Sequence, residues 1–143
     1  MSVTLLTPSL LPDVAALERT VFKQPWSEAS LMLLCGDAAF GYAALEEGSV
    51  AAYGGMLTVL DEGQITNIAT HPDHRRRGHA TVVLHALLEE ARRRGLTFVT
   101  LEVRESNAAA IALYEKNGFQ TVGRRPRFYT EPTEAALVMK CDL

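Results

Sequence analysis

Between Ala39 and Thr70 the chain holds three strand-like runs separated by only two short turn signals, Glu46-Glu47-Gly48 and Asp61-Glu62-Gly63. Turns of that length join neighbouring antiparallel strands, so the segment predicts a meander. The next stretch of chain narrows the choice of fold. A helix is predicted over about Arg76 to Arg94, with Val82, Val83, Ala86, Leu87 and Ala91 on one stripe and Gly95 where a C-terminal cap belongs. Arg92-Arg93-Arg94 also suits the negative end of that helix dipole. The strand predicted from Thr97 to Val103 comes after a crossover of helix length, which favours a parallel pairing inside an otherwise antiparallel sheet.

The flanking segments complete the pattern. Val3 to Leu6 read as a strand, and Pro12 to Phe22 as a helix in which Val14, Leu17 and Val21 repeat at helical spacing. Ser27 is placed to cap a second, shorter helix, Trp26 and Leu31 have the spacing of a hydrophobic staple, and Gly36 ends the apolar run. Later, Ser106 or Asn107 caps a helix to Asn117, Gly118 stops it, and Phe119 to Val122 and Ala136 to Met139 supply two closing strands. The order β-α-α-β-β-β-α-β-α-β-β predicts an α/β protein with a single mixed, mostly antiparallel sheet and helices on both faces. At 143 residues the chain is expected to be one domain, residues 1–143, that buries a core without a staple, so Cys35 and Cys141 need not pair.

With 48% apolar and 22% charged residues and a net charge of −3, the composition excludes a disordered chain and disfavours a broadly basic nucleic-acid binder. Arg124, Arg125 and Arg127 are read as covering a strand rather than touching RNA. The apolar stretches stop well short of the roughly 18–20 residues of a membrane span, and the N-terminus lacks the layout of a signal peptide. A cytoplasmic protein without membrane contact is expected.

The chemistry concentrates in three places. In Asn67–Ala80, Arg75, Arg76 and Arg77 stand at the positive end of the predicted helix, where basic side chains are unfavourable unless an anion is bound. Unpaired N–H groups and the small Gly78 and Ala80 make phosphate or pyrophosphate the natural occupant, although neither the G-x-G-x-x-G nor the G-x-x-x-x-G-K-[ST] pattern is present. The alternative is a solvated basic patch. On the strand Phe98–Val103, alternation sets Leu101 and Val103 on one face and Thr100 and Glu102 on the other, so Glu102 is expected among core residues. Burial there would raise its pKa, as a general base needs; the alternative is a structural ion pair with Arg104 or another arginine. Third, Asn107, Ile111 and Tyr114 share a helix face, and Tyr114 is either a proton donor or a core aromatic. His71, His74, His79 and His85 crowd together, but with no additional carboxylate at ligand spacing no metal ligand is assigned, and His79 is expected to point to solvent.

These residues carry a resemblance. Arg75-x-x-Gly78-x-Ala80 after Asn67-Ile68-Ala69, with Leu101-Glu102-Val103-Arg104, Asn107 and Leu113-Tyr114-Glu115-Lys116-Asn117-Gly118-Phe119, resembles the GNAT superfamily of N-acetyltransferases over the whole chain. Pro25-Trp26-Ser27, Ser106-Asn107-Ala108-Ala109-Ala110, Arg124-Arg125 and Phe128-Tyr129 are similar to its RimI group, which acetylates the N-terminal alanine of a small-subunit ribosomal protein. The resemblance implies acetyl-CoA as cosubstrate, with Ile68, Ala69 and Thr70 against its pantetheine and acetyl part. Arg75, Arg76, Arg77, Gly78, His79, Ala80 and Thr81 would lie at its pyrophosphate, with Asn107 as a further contact. It implies Glu102 as general base, Tyr114 as the acid that protonates the leaving thiolate, and Trp26 and Tyr129 at the acceptor. Direct transfer in a ternary complex is expected, since neither cysteine fits a nucleophile's setting. Where that group tends toward Glu-Asp-Ala before the last strand, this chain has Glu134-Ala135-Ala136. A small-molecule amine or protein lysine as acceptor, and a non-catalytic acyl-CoA-binding module, are the alternatives.

Overall fold

The computed structural model describes residues 1–143. In chain order the elements are β1 (Ser2–Leu5), α1 (Leu11–Val21), α2 (Glu28–Leu31), β2 (Ala39–Glu46), β3 (Ser49–Val59) and β4 (Glu62–Thr70), then α3 (His79–Arg93), β5 (Phe98–Arg104), α4 (Ala108–Lys116), β6 (Gln120–Tyr129) and β7 (Glu134–Asp142). Seven strands form one sheet in the order β1-β2-β3-β4-β5-β7-β6. Every pairing is antiparallel except β4 with β5, the pair that α3 connects. The predicted element order and mixed sheet are both present.

Alternation along the strands divides the core between the two faces. In β2, Phe40 and Ala44 join Val83, Leu84, Leu87 and Leu88 of α3, while Ala39 and Ala43 join Leu11, Val14 and Leu17 of α1 and Leu31 of α2. Helices therefore cover both faces, and each fully buried leucine or valine contributes about 1.5–3 kcal/mol. The α3 stripe is rotated from the predicted one: Leu84 and Leu88 are buried, whereas Val82 and Ala86 are only partly covered. Close approach of α3 to β3 depends on Gly54, where an added Cβ would come within 2.9 Å of both Leu87 and Val83 side chains.

Several boundaries differ from the sequence expectation for backbone reasons. The β2–β3 turn is only Glu47 and Gly48, both at positive φ, so Glu46 remains in the ladder opposite Ser49. The β3–β4 turn is Leu60-Asp61 rather than Asp61-Glu62-Gly63, because Glu62 and Gly63 already pair with Val59 and Thr58. Arg76 and Gly78 have φ of 65° and 80°, outside the right-handed helical region. Thus α3 starts at His79 and leaves Arg75–Gly78 as a loop. At its other end Gly95 has φ 78° and serves as the expected cap.

Two departures from regular pairing open the sheet. Gly55 of β3 faces both Thr66 and Asn67 of β4, since Gly54 pairs with Ile68 and Met56 with Ile65; the extra residue is a bulge that turns β4. The ladder from β4 to β5 holds only three pairs, ending at Gln64 with Thr100. Beyond them β4 and β5 diverge, and β7 pairs with β5 all the way from Phe98 to Arg104. The sheet is forked between β4 and β5.

Candidate active site

The fork opens into a cavity of about 480 Å³. Ile65–Ile68 of β4 line one wall and Leu101–Arg104 of β5 the other; Asn107, Ala110 and Tyr114 of α4 border it, as do segments 21–26 and 129–132. Beyond Gln64 the edge of β4 toward β5 is unpaired, so alternate residues there present their N–H and C=O groups to whatever enters the gap. Ile68 lines this gap, while Ala69 is buried against the opposite face and Thr70 is paired with Ala52.

Glu102 and Tyr114, the expected base and acid, both border the cavity. The expectation that Glu102 is buried is corrected: its side chain is 34% exposed, and Arg125 Nη2 is 3.9 Å from its carboxylate. Alternation did send Leu101 and Val103 into the core, but the other face of β5 at this end fronts the fork instead of a helix. Arg104 takes a different partner. It donates to Glu134 Oε1 at 3.2 Å and to the carbonyls of Thr130 and Pro132 at 3.1 and 3.0 Å, and its guanidinium lies 4.4 Å from the Tyr129 ring centre. Arg104 thus fastens the β6–β7 loop, and with it Tyr129 and Glu131, against the cavity.

Tyr114 is a core aromatic that also borders the cavity. Burial, with Tyr129 nearby, pushes its phenol up to about 12, which keeps the proton in place at neutral pH. Tyr129 is raised too, by burial first and then by the charge of Glu102. Asn107 accepts from the Ala110 N–H at 3.2 Å as the cap of α4 and keeps its amide donors for a ligand. Trp26 is half-buried at the mouth, behind Ser27, which caps α2 by accepting from Ser30 N–H at 3.1 Å.

Beyond the far end of β4 lies the basic loop. The side chains of Arg75, Arg76 and Arg77 are exposed, and a Cβ at Gly78 would meet nothing within 4 Å, so the loop backbone is open to a bulky anion. The first turn of α3 offers the N–H groups of His79, Ala80 and Thr81. The expectation that His79 points to solvent is corrected: its side chain is 0% exposed and faces Glu46.

Sequence reasoning missed Glu18, although it occupies a core position of the α1 stripe, four residues after Val14. It is fully buried and accepts from the Trp26 N–H at 2.8 Å, from Asn67 Nδ2 at 3.2 Å and from the Tyr53 hydroxyl. One carboxylate therefore joins α1, the Trp26 segment, β3 and the β4 bulge. Elsewhere Arg124 is held by Glu105, with Nε 2.6 Å from Oε2. No helix is long and apolar enough to cross a membrane.

Comparison with known proteins agrees with this geometry. Residues 11–119 match the acetyltransferase (GNAT) family. Over 131 residues the chain is 37% identical to the ribosomal protein bS18-alanine N-acetyltransferase of Escherichia coli K12, covering 90% of this chain and 88% of that protein. The crystal structure of the E. coli ribosomal-protein-S18-alanine N-acetyltransferase superposes with a TM-score of 0.91 at 35% identity, over 99% of this chain and 92% of that one. At 13% identity, the PaiA N-acetyltransferase of Thermoplasma acidophilum, solved with coenzyme A, shares the fold with a TM-score of 0.82 over the full length of both chains.

Proposed function

The chain belongs to the acetyltransferase (GNAT) family and is an acetyl-CoA-dependent N-acetyltransferase, and on that premise we propose that it acetylates the N-terminal alanine of a small-subunit ribosomal protein. The observation that carries this reading is the forked sheet: a carboxylate and a protonated phenol border one cavity, whose mouth is framed by Trp26, Tyr129 and Glu131. The relatives that match along nearly the whole chain are named for that acceptor.

Acetyl-CoA, when bound, supplies an activated thioester. The chain's part is binding, orientation and proton movement. Ile68, Ala69 and Thr70 would hold the cosubstrate's pantetheine along the unpaired edge of β4, Asn107 would add a contact, and Arg75–Thr81 would receive its pyrophosphate. An α-ammonium is no nucleophile until it loses a proton, and Glu102, open to the cavity and to water, is the base for that proton. Backbone N–H groups of β4 would stabilise the negative charge developing on the acetyl oxygen. Tyr114 Oη would donate its proton to the departing thiolate sulfur. Direct transfer is the reading supported by the cysteines: neither Cys35 nor Cys141 lines the cavity, and burial raises both thiols above their ordinary value, which keeps them protonated. Trp26 and Tyr129 would enclose the acceptor's first residue. The cytoplasm, where such an acceptor is made, is the proposed compartment.

The test is mass spectrometry of acetyl transfer to a mixed panel: an alanine-starting ribosomal-protein peptide, the same peptide with its α-amine blocked, a lysine peptide and a polyamine. Acetylation confined to the free alanine peptide is expected. Transfer only to lysine or polyamine would overturn the acceptor, and no transfer to any of them would overturn the mechanism.

A further inference from the structure

Glu46, His74 and His79 meet at a corner that acetyl transfer leaves without a chemical role. Glu46 ends β2, His74 closes the short turn Pro72–His74, and His79 opens α3. Glu46 Oε2 is 2.8 Å from His74 Nδ1 and 3.2 Å from His79 Nε2. The three ligand atoms lie within 4.8 Å of one another. His79 Nδ1 stands 3.2 Å from the His74 carbonyl oxygen. A carbonyl only accepts, so Nδ1 carries a proton, and whenever the ring is neutral Nε2 turns a bare lone pair toward a carboxylate that has only lone pairs of its own. Both Nε2 of His79 and Nδ1 of His74 are buried and meet no hydrogen-bond geometry. Buried polar atoms in that condition are destabilising unless something bonds them.

We propose that Glu46, His74 and His79 form a zinc-class divalent metal site that fastens the anion-binding loop to the end of β2. Two imidazole nitrogens and one carboxylate oxygen are a set that zinc takes with water as a fourth ligand. A tetrahedron with bonds of about 2.0–2.2 Å sets its corners roughly 3.3–3.6 Å apart, so the 3.2 Å separation fits nearly as it stands and the 2.8 Å one opens by about half an ångström when a metal enters. The contact from His79 Nδ1–H to a backbone carbonyl is the outer-shell bond that orients a metal-bound imidazole. Arg77, whose Nη1 is 3.4 Å from the same Glu46 oxygen, is the competing cation. A metal on Glu46 releases Arg77 toward the ligand of the loop. The carboxylate could not be found by spacing within the histidine segment, because it arrives from a different hairpin. The metal ligation stands independently of the acetyl-transfer reading, whereas the anion of the loop rests on it.

Protein stripped with a chelator and titrated with zinc chloride against a chromophoric competitor is expected to bind one zinc per chain. Cobalt(II) in its place is expected to show the intense visible absorption of a four-coordinate site. His74→Ala and Glu46→Gln should each weaken zinc by more than the roughly 10–100-fold that loss of an outer-shell partner costs. His71→Ala should leave affinity unchanged, because His71 Nδ1 is already taken by the Asp73 N–H at 3.1 Å. A variant of buried His79 can unfold, so His74 and Glu46, both partly exposed, carry the test, with circular dichroism verifying their folding. Zinc should also raise the Tm of the unmodified protein and of neither ligand variant. Absence of zinc binding, a six-coordinate cobalt spectrum, or undiminished uptake in both folded variants would overturn the site.

Discussion

Glu102 and Tyr114 reach one cavity from different elements, β5 and α4, and their environments suit opposite proton roles. Glu102 is open to water, whereas Tyr114 is enclosed and held protonated. Glu102→Gln is expected to lower kcat by about 10²–10⁴ while CoA affinity stays nearly unchanged, the range for losing a general base; calorimetric CoA binding beside steady-state kinetics checks both, and near-normal turnover removes Glu102 from the mechanism. Tyr114→Phe should lower kcat by at least about 10². Because Tyr114 titrates near 12, the pH profile of the variant should keep the unmodified enzyme's shape below about pH 10. A loss of an alkaline limb in that range would assign the limb to Tyr114 and contradict its burial. Both residues were legible as candidates from their positions in the strand and helix patterns. The openness of Glu102 was not, since alternation says which face a side chain takes and not what covers that face.

At the scale of elements, the loop between β4 and α3 and the α1 helix each hold part of the site in place. The Gly78 backbone has φ 80° with open space around the Cβ position, so substitution there costs conformational strain but no clash. Gly78→Ala should therefore weaken CoA slightly, and Gly78→Glu by more than tenfold, because a carboxylate about 4 Å from pyrophosphate repels it by roughly 4 kcal/mol at a partly screened surface. Equal CoA affinity in the two variants, by calorimetry, would displace the pyrophosphate from this loop. The other anchor is Glu18. Glu18→Leu leaves the Trp26 N–H, Asn67 amide and Tyr53 hydroxyl without their acceptor, and each buried unsatisfied group costs about 1–3 kcal/mol. Urea unfolding should show their combined loss, at least about 3 kcal/mol for the three groups, and a smaller one in Glu18→Gln, which retains one carbonyl acceptor. A carboxylate at a core position of an amphipathic stripe was a visible signal. Its three partners come from separate parts of the chain and were invisible along it.

Across the whole molecule all four tyrosines, Tyr42, Tyr53, Tyr114 and Tyr129, have phenols raised above their ordinary value, with burial the first cause in each. In the unfolded chain they ionise near pH 10, so the unfolded state binds fewer protons above that pH and the slope of stability against pH is negative. Stability should hold level in this respect below about pH 10 and fall as pH rises toward 12 and beyond. Ultraviolet titration is expected to find the phenols protonated past pH 10 until a cooperative unfolding step releases them; smooth ionisation near pH 10 without unfolding would contradict their burial. The chain by itself determined the order of elements, the meander, the parallel crossover and the basic stretch at the start of α3, because period, turn chemistry and capping act over a few residues. Tertiary structure alone decided where β4 and β5 part, what covers the far face of β5, which arginine meets which carboxylate, and that Glu46 faces His74 and His79. Those contacts join residues from distant segments, and their geometry depends on a bulge, a sheet twist and helix docking that local sequence does not encode.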